Sequence, residues 1–343
     1  MSTESRFPAA RSEPGTRTVR VAAIQLESRL GDVEATLRHA EPMVARAAAG
    51  GAKLVVLPEL FSTGYLPNRD LWPHVEPRSG PTARWLGELA HRFEIHLGGG
   101  FAAWDRSDAL NVFALAGPDG RIVGTARKGN AESYLFRRGH GLHVIETALG
   151  RIGVGICADC QSPRVLGILR DHSVDLVLMP HASPTPAIAR GRVTRADIEA
   201  QRERVAELPL TYARSLGVPA IFVNQTGEMA PMSGILGRLM DPAVFRLQGG
   251  SRIVDSDASL VASLGDGEDV LIGEVVLDPA RRARLVPMAY GGWLTPGSAI
   301  VRKVLIPLDV AVGGASYRLR RRTRRAAARV ASARGARGQT SAI

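Results

Sequence analysis

Three side chains suited to nucleophilic chemistry, Glu59, Lys128 and Cys157, each stand directly after a short apolar segment of the sequence. A thiol attacks carbonyl carbon once a neighbouring base takes its proton, and a carboxylate can be that base. An ammonium group can stabilise the oxyanion that forms. Each residue alone is more typical of a solvated charge or a buried structural cysteine. The three together predict a site in which Cys157 is the nucleophile, Glu59 the general base and Lys128 the oxyanion partner.

The segments before these residues have the composition of buried β-strands. The run 53–57 contains two adjacent valines and is closed by Pro58, the run 121–127 alternates toward Lys128, and the run 150–156 is apolar with interspersed glycines. Strands of this kind deliver their last side chains to the carboxyl edge of a sheet, where the crevices of layered α/β proteins lie. We therefore expect the three side chains to meet at one edge.

Helix signals alternate with these strand signals along the chain. Asp32 is a candidate N-cap for a helix that ends at Gly50-Gly51, and further helices are predicted over 81–93, 163–171 and 195–216. The remaining strands are predicted at 18–26, 95–102, 111–116, 174–179 and 218–223, with a hairpin at 252–254 and 260–262. This alternation predicts a layered α/β protein.

The local words around the three residues resemble those of the nitrilase superfamily of carbon–nitrogen hydrolases. The likeness runs from about residue 18 to about residue 280, in seven pieces that follow the family's order. The pieces are 57–60, 127–128, 132–139 (Glu-x-x-x-Phe-x-x-Gly), 156–159, 175–183, 217–225 and 249–255. The resemblance implies a four-layer α-β-β-α sandwich, usually extended by dimerisation, that needs no metal or organic cofactor.

The resemblance also implies a role for each site residue. Glu59 is the general base, Cys157 the nucleophile and Lys128 the oxyanion partner, with Glu132 supporting the triad. The backbone N–H of Ala158 is expected to share the oxyanion with Lys128.

Two further side chains are candidates for substrate contact. Tyr65 either walls the pocket or packs a loop, and His181 either contacts substrate or is a hydrogen-bonded loop residue. Asn111 is expected to satisfy a turn rather than to bind anything.

Three positions depart from the family pattern in ways that bear on specificity. Ala158 stands where an aromatic is common, Arg164 follows Pro163 in place of the usual Glu, and Asn130-Ala131 replaces a His-Leu pair. None of them alters the triad. The resemblance, with Asp159 two residues after the nucleophile, implies hydrolysis of a small-molecule amide or N-carbamoyl amide. A true nitrilase acting on a C≡N group remains the alternative.

Other interpretations of the residues around Cys157 are weaker. Gly153-x-Gly155-x-x-Ala158 resembles a dinucleotide fingerprint, but its glycines lie within a strand rather than after one. Cys157-x-x-Cys160 has no second ligand pair for zinc. A thioredoxin-like dithiol would leave Glu59 and Lys128 without a role. A redox link between Cys157 and Cys160 stays open, because a thiol beside Lys128 should have thiolate character.

The charge of the chain is concentrated at its carboxyl end. The 343 residues carry a net charge of +11, of which residues 281–343 contribute +13. We predict a flexible segment at 1–17, a hydrolase domain at 18–280 and a basic extension at 281–343. The extension is expected to be dispensable for chemistry. Its apolar stretch 300–312 could lie at an interface or pack on a second subunit, and its arginine-rich tail is either solvated or binds nucleic acid or an anionic membrane. A binding protein acting through this tail is the second functional hypothesis.

The sequence contains no run of about 18 apolar residues and no signal-like amino-terminal stretch. With only two cysteines, these features predict a cytoplasmic protein, and the family resemblance predicts a homodimer or higher homo-oligomer.

Overall fold

The computed structural model describes residues 15–139, 143–191 and 193–340, so most of the predicted amino-terminal segment lies outside the described residues. In the first sheet, strand order is β16-β1-β2-β4-β5-β6, with β3 paired to β4. The strands are β1 (Arg17–Gln25), β2 (Leu54–Val56), β3 (Glu76–Pro77), β4 (His96–Asp105), β5 (Asp108–Ala116), β6 (Ile122–Arg127) and β16 (Asp269–Leu277).

The second sheet has the order β15-β14-β11-β9-β8-β7. Its strands are β7 (Val144–Thr147), β8 (Gly150–Val154), β9 (Leu176–His181), β11 (Ala220–Asn224), β14 (Arg252–Val254) and β15 (Leu260–Ser263). A small third sheet joins β10 (Pro184–Pro186), β13 (Phe245–Gln248) and β12 (Thr226–Gly227).

The α-helices of the described residues are α1 (Val33–Ala49), α2 (Pro81–Phe93), α3 (Pro163–Asp171), α4 (Arg195–Leu216), α5 (Gly234–Gly237), α6 (Ile306–Leu319) and α7 (Arg321–Thr340). The first four cover the outer faces of the two large sheets. Short 3-10 turns occupy Arg69–His74, Cys157–Gln161 and Pro279–Arg281, and a π-helical turn, Val301–Leu305, leads into α6. None of the helices in the described ranges has the combination of length and hydropathy that a membrane span requires.

Alternation along the strands separates the core into layers. In β2, Leu54 and Val56 face an apolar cluster shared with Val154 and Leu178 of the other sheet, whereas Val55 belongs to the cluster beneath α1 and α2. On the far side, α3 and α4 pack on Met179 and Phe222. Successive side chains of a strand point to opposite faces, so each sheet contacts its partner sheet on one side and helices on the other. The fold is the predicted α-β-β-α sandwich.

Most of the predicted elements are confirmed within two or three residues. The bounds of α2, α3 and α4 are those expected from the sequence, and Asp32 caps α1 by accepting the N–H of Ala35. Strand β16 was not predicted; it pairs antiparallel with β1 over nine residues. Its alternation is interrupted by Gly273 and Glu274, which hides the strand pattern.

The basic extension folds back onto the hydrolase body. An exposed connection that contains Leu285, Val286 and Met288 leads to helices α6 and α7, which pack against the hydrolase body. Tyr317 and Arg324 are buried, with the guanidinium 3.5 Å from the Tyr317 ring centroid. The alternative of a fully solvated tail is therefore wrong for this part of the extension.

Candidate active site

The three predicted side chains follow the carboxyl ends of strands that run in one direction within each sheet. In the first sheet, β2 is parallel to β4, while β5 is antiparallel to both β4 and β6. Strands β2 and β6 therefore run in the same direction. Glu59 lies three residues beyond β2 and Lys128 directly after β6. In the second sheet, Cys157 lies three residues beyond β8, which is parallel to β9.

A carboxylate–ammonium–carboxylate chain forms the buried centre of the site. The Lys128 Nζ lies 2.6 Å from Glu59 Oε1 and 2.7 Å from Glu132 Oε1, and Lys128 and Glu59 are almost fully buried. Burial alone would lower the pKa of Lys128, but the charges of Glu132 and Glu59 hold it well above its ordinary value of 10.5. Lys128 is therefore a permanent cation, as an oxyanion partner must be.

Glu59 is fixed by neighbours that a loose surface carboxylate would lack. Its Oε1 accepts from Asn111 Nδ2 at 2.7 Å, and its Oε2 accepts the Ala182 N–H at 3.0 Å. Gln225 Nε2 donates to the Glu59 carbonyl at 2.6 Å. A Cβ at Gly100 would lie 2.6 Å from Glu59 Cα, so only glycine lets β4 approach this closely.

Cys157 begins the 3-10 turn after β8 with a left-handed backbone, φ 48°. Non-glycine residues seldom adopt this conformation, and such strain concentrates at functional sites. Its Sγ lies 3.3 Å from Ser183 Oγ. Burial, followed by the charge of Glu59, raises the pKa of the thiol to about 12, while Lys128 opposes the rise. The expectation of thiolate character is wrong, because the resting thiol keeps its proton at neutral pH.

The loop after Lys128 is attached to the nucleophile turn through Asp159. The Asp159 carboxylate accepts the N–H groups of Gly129 and Asn130 at 3.0 and 2.7 Å. Gly139, the last residue of the Glu-x-x-x-Phe-x-x-Gly element, donates its N–H to the Lys128 carbonyl at 2.9 Å. Asp159 therefore positions the loop that follows Lys128.

A cavity of about 390 Å³ opens onto Lys128, Glu132 and Cys157. Tyr65 and Ala158 line it, as the sequence predicts for substrate contacts. The Tyr65 hydroxyl donates to Glu132 Oε1 at 3.2 Å. Burial and then the charge of Glu132 raise the pKa of Tyr65 well above 10, so it remains a donor.

His181 does not line the cavity that Cys157 opens onto. Its ring is buried against Phe222, 4.5 Å between centroids, and its Nδ1 is 2.9 Å from the Met179 carbonyl. Burial lowers the pKa of His181 to about 3, so the ring is neutral. Its place within β9, where alternate side chains face the helices, explains the difference.

Two residues near the triad have roles that the sequence did not indicate. Asn111, expected to satisfy a turn, donates to the general base. Ser183, whose N–H donates to Asn224 Oδ1 at 3.0 Å, places its hydroxyl beside the nucleophile. Asn111 lies within β5 and Ser183 two residues beyond β9, and only tertiary structure pairs them with Glu59 and Cys157.

Cys160 lies on the opposite side of the turn from the cavity. Its thiol is fully buried in the cluster with Leu166 and Tyr212 and donates to the Gly155 carbonyl at 3.0 Å. Cys157 instead packs at the edge of the cluster between the two sheets. This separation of environments favours a structural role for Cys160 over a redox partnership.

Comparison with known proteins extends these observations. The sequence profile of the Carbon-nitrogen hydrolase family matches residues 20–285. The citrullinase of Francisella tularensis is 30% identical over 178 residues, 48% of this chain and 61% of that protein. The omega-amidase NIT3 of Saccharomyces cerevisiae is 25% identical over 284 residues, 77% of this chain and 88% of that protein. The match spans only 61% and 63% of the first two relatives, the citrullinase and the omega-amidase NIT2 of Danio rerio.

Solved structures show the same fold. A carbon-nitrogen hydrolase from Helicobacter pylori G27 superposes with a TM-score of 0.67 at 20% identity, covering 77% of this chain and 91% of that one. An amidase from Nesterenkonia sp. superposes with a TM-score of 0.60 at 20% identity, covering 76% and 91%. Since the family profile spans most of the sequence, the resemblance to the nitrilase superfamily is confirmed, and the chain belongs to the carbon–nitrogen hydrolase family.

Proposed function

We propose that this protein hydrolyses a small-molecule amide or N-carbamoyl amide through a thioester on Cys157. The observation that carries the proposal is the buried Lys128 held between Glu59 and Glu132 at the cavity that Cys157 lines. The arrangement supplies a base, a fixed cation and a nucleophile without a metal or organic cofactor. Tyr65 and three serines, Ser133, Ser162 and Ser233, also line the cavity.

The first half of the reaction forms the acyl-enzyme. Glu59 takes the proton of the Cys157 thiol as sulfur attacks the carbonyl carbon, because a thiol with a raised pKa is not ionised beforehand. Lys128 and the N–H of Ala158, in the first helical turn where N–H groups lack intrahelical partners, stabilise the oxyanion. Glu59 returns the proton to the leaving nitrogen, the C–N bond breaks, and ammonia or an amine departs.

The second half releases the acid. Glu59 takes a proton from water, the resulting hydroxide attacks the thioester, and the C–S bond breaks as the thiol regains its proton. Glu132 orients Lys128 and shares its charge. Among the described residues, Glu132 Oε2 is buried without a hydrogen-bond partner, so it is available to the substrate amide N–H.

Ammonia release measured across amides, carbamoyl amines and nitriles tests the proposal. We expect turnover of at least one amide or carbamoyl amine, none after Cys157→Ala, and near-parental activity after Cys160→Ala as the matched thiol control. Turnover confined to nitriles would establish the nitrilase alternative. Activity that survives Cys157→Ala would contradict the mechanism.

We also propose that the exposed arginines of the extension bind anionic surfaces. We further propose that the protein is a homo-oligomer and works in a reducing cytoplasm. Arg318, Arg321, Arg322, Arg325 and Arg329 are exposed, and no acidic residue follows Asp309 in the sequence. Their neutralisation to Gln should weaken salt-dependent retention on heparin and on anionic vesicles while leaving amide turnover intact. Unchanged retention would contradict the surface role, and sedimentation would give the oligomeric state.

A further inference from the structure

Beyond residue 285, where the family match ends, the chain returns to the active site. Trp293, from the connection before α6, and Ile306 and Val310, from α6 itself, line the same cavity as Cys157. The part of the wall that these residues form therefore lies outside the region shared with the family.

The Trp293 segment is attached to the nucleophile turn. Leu294 donates its N–H to the Gln161 carbonyl at 2.9 Å, and Thr295 Oγ1 donates to Gln161 Oε1 at 2.7 Å. Gln161 is the last residue of the 3-10 turn that Cys157 begins. The Arg302 guanidinium lies over the Trp293 ring, 4.9 Å from its centroid.

Helix α6 is attached through its buried face. Asp309 Oδ1 accepts the N–H groups of Ile235 and Leu236 at 2.6 and 3.1 Å, so α6 caps the short helix α5. A Cβ at Gly313 would overlap the Ser133 hydroxyl and lie 2.8 Å from the Tyr134 ring. These contacts bring α6 against the residues directly after Glu132.

The resulting wall is apolar. Its lining side chains are Leu135, Met232, Leu236, Trp293, Ile306 and Val310. Two ionic groups beyond the catalytic cluster also line it, and each has a partner. Arg138 donates to the Gly129 carbonyl and to Asn130 Oδ1, and Asp309 Oδ1 caps α5. A volume of about 390 Å³ is near the lower end for small-molecule sites.

We propose that this wall, formed by Trp293, Ile306 and Val310, selects amides with a compact, uncharged apolar acyl group, of arylalkyl or branched-alkyl type. The inference rests on the proposed function, since it assigns the acyl group of the same reaction. A carboxylate at the far end of the acyl chain would be desolvated by the apolar side chains of this wall. The guanidinium of Arg138, which also lines the cavity, is already engaged by two neutral acceptors, the Gly129 carbonyl and Asn130 Oδ1. Monoamides of dicarboxylic acids are therefore poor substrates.

The test compares kcat/KM for acetamide, 3-phenylpropionamide and succinamate. The parent should prefer 3-phenylpropionamide over both others. Val310→Trp should lower the value for 3-phenylpropionamide by about tenfold or more and leave acetamide within about threefold, the order expected for a blocked apolar pocket. Val312→Trp, on the exposed face of the same helix, is the matched control and should change neither. Ile306→Ala, which removes bulk, should shift preference toward larger acyl groups.

A second readout separates this inference from the proposed function. Labelling of Cys157 by iodoacetamide and by N-(2-phenylethyl)iodoacetamide, followed by intact mass, reports access to the cavity without turnover. Val310→Trp should slow the bulky reagent selectively, even if no amide is hydrolysed. Equal slowing of both reagents, the same effect from Val312→Trp, or a preference for succinamate would overturn the inference.

Discussion

At the residue scale, Glu59 acts on Cys157 in two opposed ways. Its charge raises the pKa of the thiol, yet its carboxylate is the group placed to accept the thiol proton. Glu59→Gln should therefore abolish turnover while lowering the thiol pKa, because the Glu59 charge that raises this pKa is removed and the Lys128 charge that lowers it remains. At pH 8, iodoacetamide should label Cys157 faster in this variant than in the parent.

The pH dependence of labelling checks the same point. In the parent, the labelling rate should still be rising above pH 10, since a thiol with a pKa of about 12 ionises only there. The Glu59→Gln curve should shift to lower pH. A parental plateau near pH 9, with no shift in the variant, would contradict the raised pKa.

The sequence predicts the triad because each member follows a strand, and the end of a strand can be recognised where an apolar run stops. It could not identify Asn111 or Ser183 as neighbours of Glu59 and Cys157, since these contacts join segments 52 and 26 residues apart. It left His181 open between a substrate contact and a hydrogen-bonded loop residue, whereas β9 places its ring against Phe222 with a hydrogen bond to the Met179 carbonyl. The predicted strand boundaries were accurate enough to show that a site exists at the strand ends. They were not accurate enough to show which face of the sheet each side chain occupies.

At the element scale, the start of α2 depends on a buried carboxyl group. Glu76 accepts from Thr82 N at 2.8 Å and from Thr82 Oγ1 at 2.5 Å, and burial, opposed by these bonds, raises its pKa from 4.5 to about 7. The folded state therefore holds the proton more tightly than the unfolded state. The stabilisation is complete below pH 4.5 and is lost as the pH rises through 7.

Glu76→Gln should remove this dependence. The amide can accept the Thr82 N–H and donate to the Thr82 hydroxyl, so both bonds survive without a buried charge. The free energy of unfolding of the variant, relative to the parent, should rise by about 1–3 kcal/mol between pH 4.5 and 8. Denaturant titration across that range measures it, and a constant difference would show that Glu76 does not titrate there.

The docking of α6 can be tested with two adjacent glycines. Gly313 contacts Ser133 and Tyr134, whereas a Cβ at Gly314 would meet nothing within 4 Å. Gly313→Ala should push α6 outward, lower stability and weaken discrimination between large and small amides. Gly314→Ala should be neutral or stabilise by about 0.5–1 kcal/mol through helix propensity.

Thermal unfolding together with the substrate ratio distinguishes these outcomes. Equal effects of the two substitutions would show that helix propensity, not contact, governs this position. The sequence pattern could not separate these glycines, because the difference depends on what lies opposite each one.

At the scale of the whole molecule, the carboxyl-terminal extension carries the positive charge of the chain and also packs against the hydrolase domain. Its exposed arginines give the chain its net charge, and its buried Tyr317 and Arg324 attach it to Asp108. The sequence located the charge correctly but treated the segment as an appendage dispensable for chemistry. Truncation after Gly314 removes nine arginines together with the Tyr317 anchor, so we now expect a change in substrate range besides the fall in net charge from +11 to +2.

The exposed connection at Leu285, Val286 and Met288 gives the cavity wall a further property. Exposed loops are preferred sites of proteolytic nicking, and a cut there would leave α6 and α7 held by noncovalent contacts alone. The nicked protein would then be a complex of two fragments. The fraction of molecules in which the carboxyl-terminal fragment completes the cavity wall would depend on protein concentration. Its discrimination between large and small amides should fade on dilution and return on concentration, whereas the intact chain should discriminate equally at every concentration.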